Sequence, residues 1–367
     1  MIRMALPVRK SVRILAMIVF FYSSFLSCEF SGVREERMRL SPNYKDGAFR
    51  NRDGSKTMAE EGSLVGIVYD YLISRQFVKE PKGPIPTIQT NLKDLPIGED
   101  LFVWFGHSSL LIQLNGIRFL VDPVFSGYAS PVWFSNRSFP GTDVFSESDF
   151  PEIDYLIITH DHYDHLDLNT ISKFREKVRE VIVPLGLGEY FEDLGYKQES
   201  ILEKDWFEQI QARNGDRITL VPAKHSSGRS LIQNRTLWTS YIIQSKSVRI
   251  FISGDGGYGE HFADIGRKYG PFTIAFLENG QYRKIWRNVH SFPEEVIQTG
   301  KDLNAEYLVP VHSCKFTMAL HDWDEPLKLV TRFGEERNVN VIAPMIGESV
   351  SLVKPSTKYP KWWERVK

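Results

Sequence analysis

Two cysteines in 367 residues, Cys28 and Cys314 at opposite ends of the chain, exclude a disulfide framework and leave at most one staple. There is no excess of either charge sign: 45 Lys and Arg stand against 46 Asp and Glu, so no global field draws the chain to nucleic acid. There is also no apolar run of the ~20 residues that cross a bilayer, which excludes a polytopic membrane protein. The longest, the 13 residues from Ile14 to Leu26, follows Arg3, Arg9, Lys10 and Arg13. That is the layout of a secretory signal. Internal repeats and low-complexity tracts are absent too. What remains, 42% hydrophobic and 25% charged residues, is the composition of an ordinary globular protein.

The signal is read as residues 1–27, because Phe25-Leu26-Ser27-Cys28 resembles a loosely fitting lipoprotein cleavage box that would leave Cys28 as a lipidated first residue. A bacterial cell-envelope location, with membrane attachment through Cys28, is the expectation. Residues 28–94 read as a tether and extension: polar to about Gly62, then a helical apolar pattern from Ser63 to Gln76, then Pro81, Pro84 and Pro86 forcing an extended connector. A catalytic domain is expected over 95–355. An aromatic and basic tail, 356–367, follows, suited either to a lipid interface or to packing on the domain.

From Leu101 the pattern changes to short apolar runs, Leu101 to Phe105, Leu110 to Leu114 and Ile117 to Val121, separated by Gly106 and Gly116. Hairpins are building a sheet there. Four later apolar runs each end in a potential metal ligand, His160, His225, Asp255 or His312, and helical patterns lie between them, one opened by an expected capping box at Ser291-x-x-Glu294. Strands alternating with helices imply a layered α/β fold with ligands gathered on one rim.

The decisive segment is Thr159-His160-Asp161-His162-Tyr163-Asp164-His165-Leu166-Asp167. His160 and His162 alternate along an extended turn and point the same way, so both can grip one ion. Asp164 and His165, where the chain curls toward a helix, face a second. Two divalent ions so placed would share a bridging carboxylate and a bridging hydroxide, the arrangement that serves hydrolysis. Beside them, Asp122 ends a strand and could orient a ligand histidine; His107 reads as another supporting or packing residue; His290 stands at a helix entrance, where it could contact a phosphate or protonate a leaving group.

These motifs resemble the metallo-β-lactamase superfamily, and within it the branch of N-acylphosphatidylethanolamine-hydrolysing phospholipases D and their bacterial relatives. The likeness rests on Trp104-Phe-Gly-His-Ser-Ser, Val121-Asp-Pro-Val-Phe-Ser, the HDHYDHLD block, Pro222-Ala-Lys-His225, Ser253-Gly-Asp-Gly-Gly-Tyr258, His290-Ser-Phe-Pro-Glu-Glu and Val311-His312. The resemblance implies a four-layer αββα sandwich holding two Zn²⁺ per chain. His160, His162 and His225 would bind one zinc, Asp164, His165 and His312 the other, and Asp255 would bridge. Asp164, Asp255 and His290 would serve catalysis on a phospholipid or other small-molecule substrate, with no nucleic-acid partner. The chain departs from that branch at Leu277-Glu-Asn-Gly-Gln-Tyr-Arg-Lys-Ile-Trp-Arg, where Glu278, Gln281, Tyr282 and Arg283, together with Tyr163, are expected to line the mouth. The alternatives are a lactone or ester hydrolase like the ascorbate-phosphate lactonases, and a non-catalytic metal-binding envelope lipoprotein.

Overall fold

The structure, a computed structural model, describes residues 32–57, 80–229, 232–356 and 358–366. The signal, Cys28 and the helix expected from Ser63 to Gln76 lie outside the described residues. The described chain opens with helix α1 (Gly32–Leu40) and a short hairpin, β1 (Tyr44–Lys45) and β2 (Ala48–Phe49). The expectation of a tether is corrected here. Met38 and Phe49 are fully buried with Leu185, Trp206, Leu237 and Trp238, and Arg34 pairs with Glu192 and Glu203 at 2.8 Å each. Scattered apolar residues and one buried arginine suffice to dock this segment, a pattern too sparse to register as periodicity.

Two sheets follow. The first contains β3 (Leu101–Trp104), β4 (Leu110–Leu114), β5 (Ile117–Val121), β6 (Ile153–Ile157), then helix α2 (Leu168–Phe174), β7 (Val178–Pro184), helix α3 (Gly188–Asp193) and β8 (Ile201–Lys204). The second contains β9 (Gln209–Gln211), β10 (Arg217–Val221), β11 (Ser240–Gln244), β12 (Arg249–Ile252), helix α4 (His261–Tyr269), β13 (Phe272–Glu278), helix α5 (Pro293–Asp302), β14 (Ala305–Val311), helix α6 (Glu325–Arg337) and β15 (Asn340–Val341). A last strand, β16 (Ser349–Ser351), returns to pair antiparallel with β3. The first sheet runs β16-β3-β4-β5-β6-β7-β8 and the second β15-β14-β13-β12-β11-β10-β9. Each sheet is antiparallel on one side and parallel from β5 or β12 onward; a long loop makes the β5–β6 crossover and helices make the others.

The central strands are apolar on both faces, as buried strands must be, while the edge strands β9 and β16 turn polar residues outward. Phe102, Ile112, Phe119 and Ile157 of the first sheet meet Tyr241, Ile250, Ile274 and Phe276 of the second in one inner core. Phe102 lies edge-on to Phe276, ring centroids 4.9 Å apart, a contact worth about 0.5–1.5 kcal/mol beyond its buried area. The alternate residues face outward: Val103, Leu111 and Leu156 against Ile171, Phe174 and Phe191 of α2 and α3, and Ile242, Phe251 and Ala275 against Phe262, Ile265, Val296 and Val330 of α4, α5 and α6. The result is the αββα sandwich.

One local expectation shifts, and one open alternative is decided. Helix α5 begins one residue later than expected, with Glu295 Oε2 accepting from Phe292 N, while Ser291 Oγ donates instead to Gly256 O. The tail packs rather than projecting: Trp362 and Trp363 are buried, and Trp362 Nε1 donates to Pro344 O.

Candidate metal centre

Five chemistry-bearing residues sit just beyond strand ends on the same rim. Asp122 follows β5, His160 follows β6, His225 follows β10, Asp255 follows β12 and His312 follows β14. Several turn back sharply: His107, Asp122 and His312 hold φ of 51, 41 and 66 degrees, a left-handed conformation uncommon outside glycine that aims their side chains at the rim. Gly254 shows why glycine precedes Asp255, since its φ is +60 and a Cβ there would lie 2.9 Å from Thr159. The loop after β6 curls through Leu166 N donating to His162 O, and Asp167 then caps α2 by accepting from Asn169 N and Thr170 N.

The first cluster is three imidazoles. His162 Nδ1 lies 2.9 Å from His160 Nε2 and 3.2 Å from His225 Nε2. Nitrogens bound tetrahedrally to zinc at 2.0–2.1 Å would stand about 3.3 Å apart, so the spacing fits one ion. Neighbours set the tautomers. Thr159 Oγ1 donates to Asp122 Oδ2 at 2.7 Å and therefore accepts from His160 Nδ1 at 3.0 Å. His225 Nδ1 donates to Val289 O at 3.0 Å. Both Nε2 atoms are thereby left with lone pairs facing the cluster. Burial, with the neighbouring imidazoles, drives the His160 pKa well below its ordinary value, and His225 is likewise held neutral.

The second cluster is acidic. His312 Nε2 lies 3.2 Å from Asp164 Oδ2 and 3.1 Å from Asp255 Oδ2, while His165 Nε2 lies 3.4 Å from Asp164 Oδ2 and 3.2 Å from Asp255 Oδ1. Asp255 Oδ2 also reaches toward His225 Nε2 at 3.7 Å and His160 Nε2 at 3.9 Å, joining the clusters. Burial opposes ionisation of Asp255, yet His165 and His312 overcome it and hold its carboxyl well below the usual range. Burial likewise opposes charging His312, and the Asp255, Asp164 and Glu278 carboxylates still push it up to about 10. A proton there stands where a cation's charge would otherwise go. His165 Nε2 and Asp255 Oδ1 are buried with no hydrogen-bond partner although 3.2 Å apart. Orphaned buried atoms in a nitrogen and oxygen donor set are what a divalent ion would satisfy.

The structure thus brings together all seven residues expected as ligands. Asp122 Oδ2 accepts from His165 Nδ1 at 2.8 Å, and His107 Nε2 contacts Asp164 Oδ2 at 2.8 Å, so both stand behind candidate ligands. His290 Nδ1 bonds Glu278 Oε1 at 2.9 Å, and its ring stacks on His312 at 5.4 Å and 12 degrees. A cavity of about 450 Å³ opens above, lined in part by Ser130, Tyr163, His290, Gln281, Trp286 and Arg229.

The mouth is corrected in four places. Tyr282 is buried away from the opening, its hydroxyl donating to Glu325 Oε1 at 2.7 Å and its ring stacked on His321. Gln281 touches the cavity, but its amide is spent on Phe316 O, Met318 N and Ala319 N. Arg283 lies over Trp286, 5.1 Å from its centroid, and Trp286 faces the cavity in its place. Glu278, expected at the mouth, lies beneath it, 3% exposed, and also accepts from Ser291 N.

Three residues escaped sequence reasoning. Thr159 links Asp122 to His160, as described. Asn51, from the amino-terminal segment, donates to His225 O at 2.9 Å and accepts from His225 N at 3.0 Å. Arg229 lies over the Tyr163 ring at 3.9 Å, donates to Asp161 O and Leu166 O, and brings a cation to the cavity. The last two sit in segments with no periodicity or motif to mark them.

The chain matches the family described as a beta-lactamase superfamily domain over residues 117–313. It is 35% identical over 331 residues to an uncharacterized protein of Mycobacterium tuberculosis, covering 88% of this chain and 87% of that one. It is 29% identical over 232 residues to N-acyl-phosphatidylethanolamine-hydrolyzing phospholipase D 1 of Caenorhabditis elegans, covering 60% of this chain and 65% of the relative. Among solved structures, CmlA, a diiron beta-hydroxylase from Streptomyces venezuelae, superposes with a TM-score of 0.53 at 19% identity, over 69% of this chain and 54% of that one. At that identity the likeness is one of fold.

Proposed function

The chain belongs to the metallo-β-lactamase superfamily of metal-dependent hydrolases, and on that premise we propose that it is a phospholipase D type phosphodiesterase acting on N-acylphosphatidylethanolamine-like lipids. The observation that carries the reading is the meeting of two ligand clusters at Asp255 on the floor of a cavity with both aromatic and cationic walls. The relatives include phospholipases D named for this substrate, which supports the same choice.

His160, His162 and His225 would hold one zinc, and Asp164, His165 and His312 the other, with Asp255 between them. When bound, two such ions supply Lewis acidity and an activated water at neutral pH. The residues of the chain do the rest. Arg229, fixed by Asp161 O and Leu166 O, offers its guanidinium to the phosphate, a geometry suited to oxyanions. Hydrolysis adds water across the P–O bond, so the departing alkoxide needs a proton. His290 is placed to deliver it, because Glu278 holds Nδ1 and leaves Nε2 toward the cavity that His290 lines. Trp286, Val289 and Met318 offer apolar contact to an acyl chain. The products are phosphatidic acid and an N-acylethanolamine.

The test is zinc-loaded enzyme against N-acylphosphatidylethanolamine in mixed micelles, beside lactone and ester panels, with the products identified by mass. Phosphatidic acid release supports the reading. Lactone or ester opening with no phospholipid turnover refutes it. The same proposal places the protein on the bacterial envelope through acylated Cys28, so Cys28→Ala should release it from membranes; attachment that persists refutes that placement.

A further inference from the structure

Large apolar side chains are exposed at few places on the described surface, and two of them are consecutive: Trp133 and Phe134 are 66% and 65% exposed. They tip the loop from Ala129 to Asn136, which is held shut on itself. Ala129 N donates to Asn136 O at 2.9 Å, and Ser130 Oγ lies 2.6 Å from Val132 O and 3.0 Å from Ser135 O. The two rings meet edge-on at 5.7 Å and 87 degrees. A loop closed by its own hydrogen bonds fixes the pair outward, and each ring keeps most of its apolar surface in water.

The inner edge of the same loop forms the cavity wall. Ala129, Ser130, Pro131 and Asn136 line the metal cavity, and Ser130 and Pro131 also line a second cavity of about 380 Å³ beyond the Tyr163 and Arg229 partition. Ile232, 49% exposed, stands on the rim of that second cavity, and Arg137 is exposed just past the loop. The amino end of the domain lies at the same place. Arg34 on α1 pairs with Glu192 of α3, the helix whose Glu189, Tyr190 and Asp193 line the second cavity. Only four residue steps separate Cys28 from Gly32, a reach of roughly 15 Å. An acyl anchor at Cys28 would therefore hold this rim, and not the opposite end of the strands, near the lipid.

We propose that the loop from Ala129 to Asn136 docks the domain on a phospholipid bilayer, with Trp133 and Phe134 entering the interface and both cavities opening toward the lipid. The inference rests on the lipid-hydrolase and anchoring reading above. A tryptophan with an exposed arginine four residues on suits the headgroup layer, and a rim seated there lets a lipid pass to the metal cavity without crossing water.

The experiment uses the full chain carrying Trp133→Cys, labelled with an environment-sensitive fluorophore and reconstituted with vesicles of phosphatidylethanolamine and phosphatidylglycerol. Cys314 is buried, and the unsubstituted chain sets the labelling background. The control is Ile97→Cys, at a residue half exposed beside the β4–β5 turn, the end of β5 remote from Asp122. Nitroxide-bearing lipids should quench the label at 133 about threefold more than the label at 97. Equal quenching at the two positions overturns the proposal. No turnover is read, so this outcome stands apart from success or failure of the phosphodiesterase assay.

Discussion

Replacing Asp122 by Asn tests whether the centre is organised from behind its ligands. The buried carboxylate accepts from His165 Nδ1 at 2.8 Å, Thr159 Oγ1 at 2.7 Å and Thr159 N at 2.8 Å. An amide keeps one acceptor oxygen. If that oxygen stays with Thr159 N, the new NH₂ faces both His165 Nδ1 and Thr159 Oγ1. His165 must then flip its proton to Nε2, toward the second cluster, and Thr159 Oγ1 turns its own hydrogen away, weakening its hold on His160 Nδ1. One substitution thus disturbs both clusters. Loss of a partner of this kind costs about 10- to 100-fold in metal affinity, or about 1.4–2.8 kcal/mol per ion, and the lost charge-assisted hydrogen bond costs about 1.5–3 kcal/mol of stability. The assay is competition against a chromophoric chelator, which resolves two binding steps, beside thermal unfolding. Thr159→Val is the companion: it leaves the Asp122 to His165 bond intact and should weaken chiefly the three-histidine step. Two metal equivalents bound to Asp122→Asn with unchanged affinity would refute the reasoning.

Asp255→Ala should lower bound metal from about two equivalents to one or none and abolish turnover, as read by elemental analysis, because Asp255 is the group shared by both clusters. His290→Gln should keep its metal and lose about 10²- to 10⁴-fold in kcat, since it removes only the proton donor; lost metal would instead make His290 a ligand. Asn51→Ala removes bonds to both backbone groups of His225 and to Trp238 Nε1, and should lower stability by about 2–3 kcal/mol in denaturant titration. His261, whose pKa is lowered to about 4 by burial and by Lys224, binds its proton more weakly folded than unfolded. Stability should therefore fall by about 3 kcal/mol as pH drops from about 6.5 toward 4, and His261→Asn should flatten that part of a melting profile.

The seven candidate ligands were readable because each signal is local. His160, His162, Asp164 and His165 fall within six consecutive residues, and His225, Asp255 and His312 each follow an apolar run that could only be a strand. The layered fold was readable for the same reason, since apolar strands alternating with amphipathic helices have few ways to bury their faces. What surrounds the ligands was not. Asn51 reaches His225 across 174 positions and Tyr282 reaches Glu325 across 43, and nothing in their own neighbourhoods marks either contact. The segment from Leu277 to Arg287 has the composition of a binding lip, yet only packing decided that Glu278 lies beneath His290, that Tyr282 turns inward and that Trp286 faces the cavity. Periodicity and spacing report which face of an element is buried and where it ends. Which distant side chain meets that end depends on how two sheets and their loops pack, and only the tertiary structure decided it.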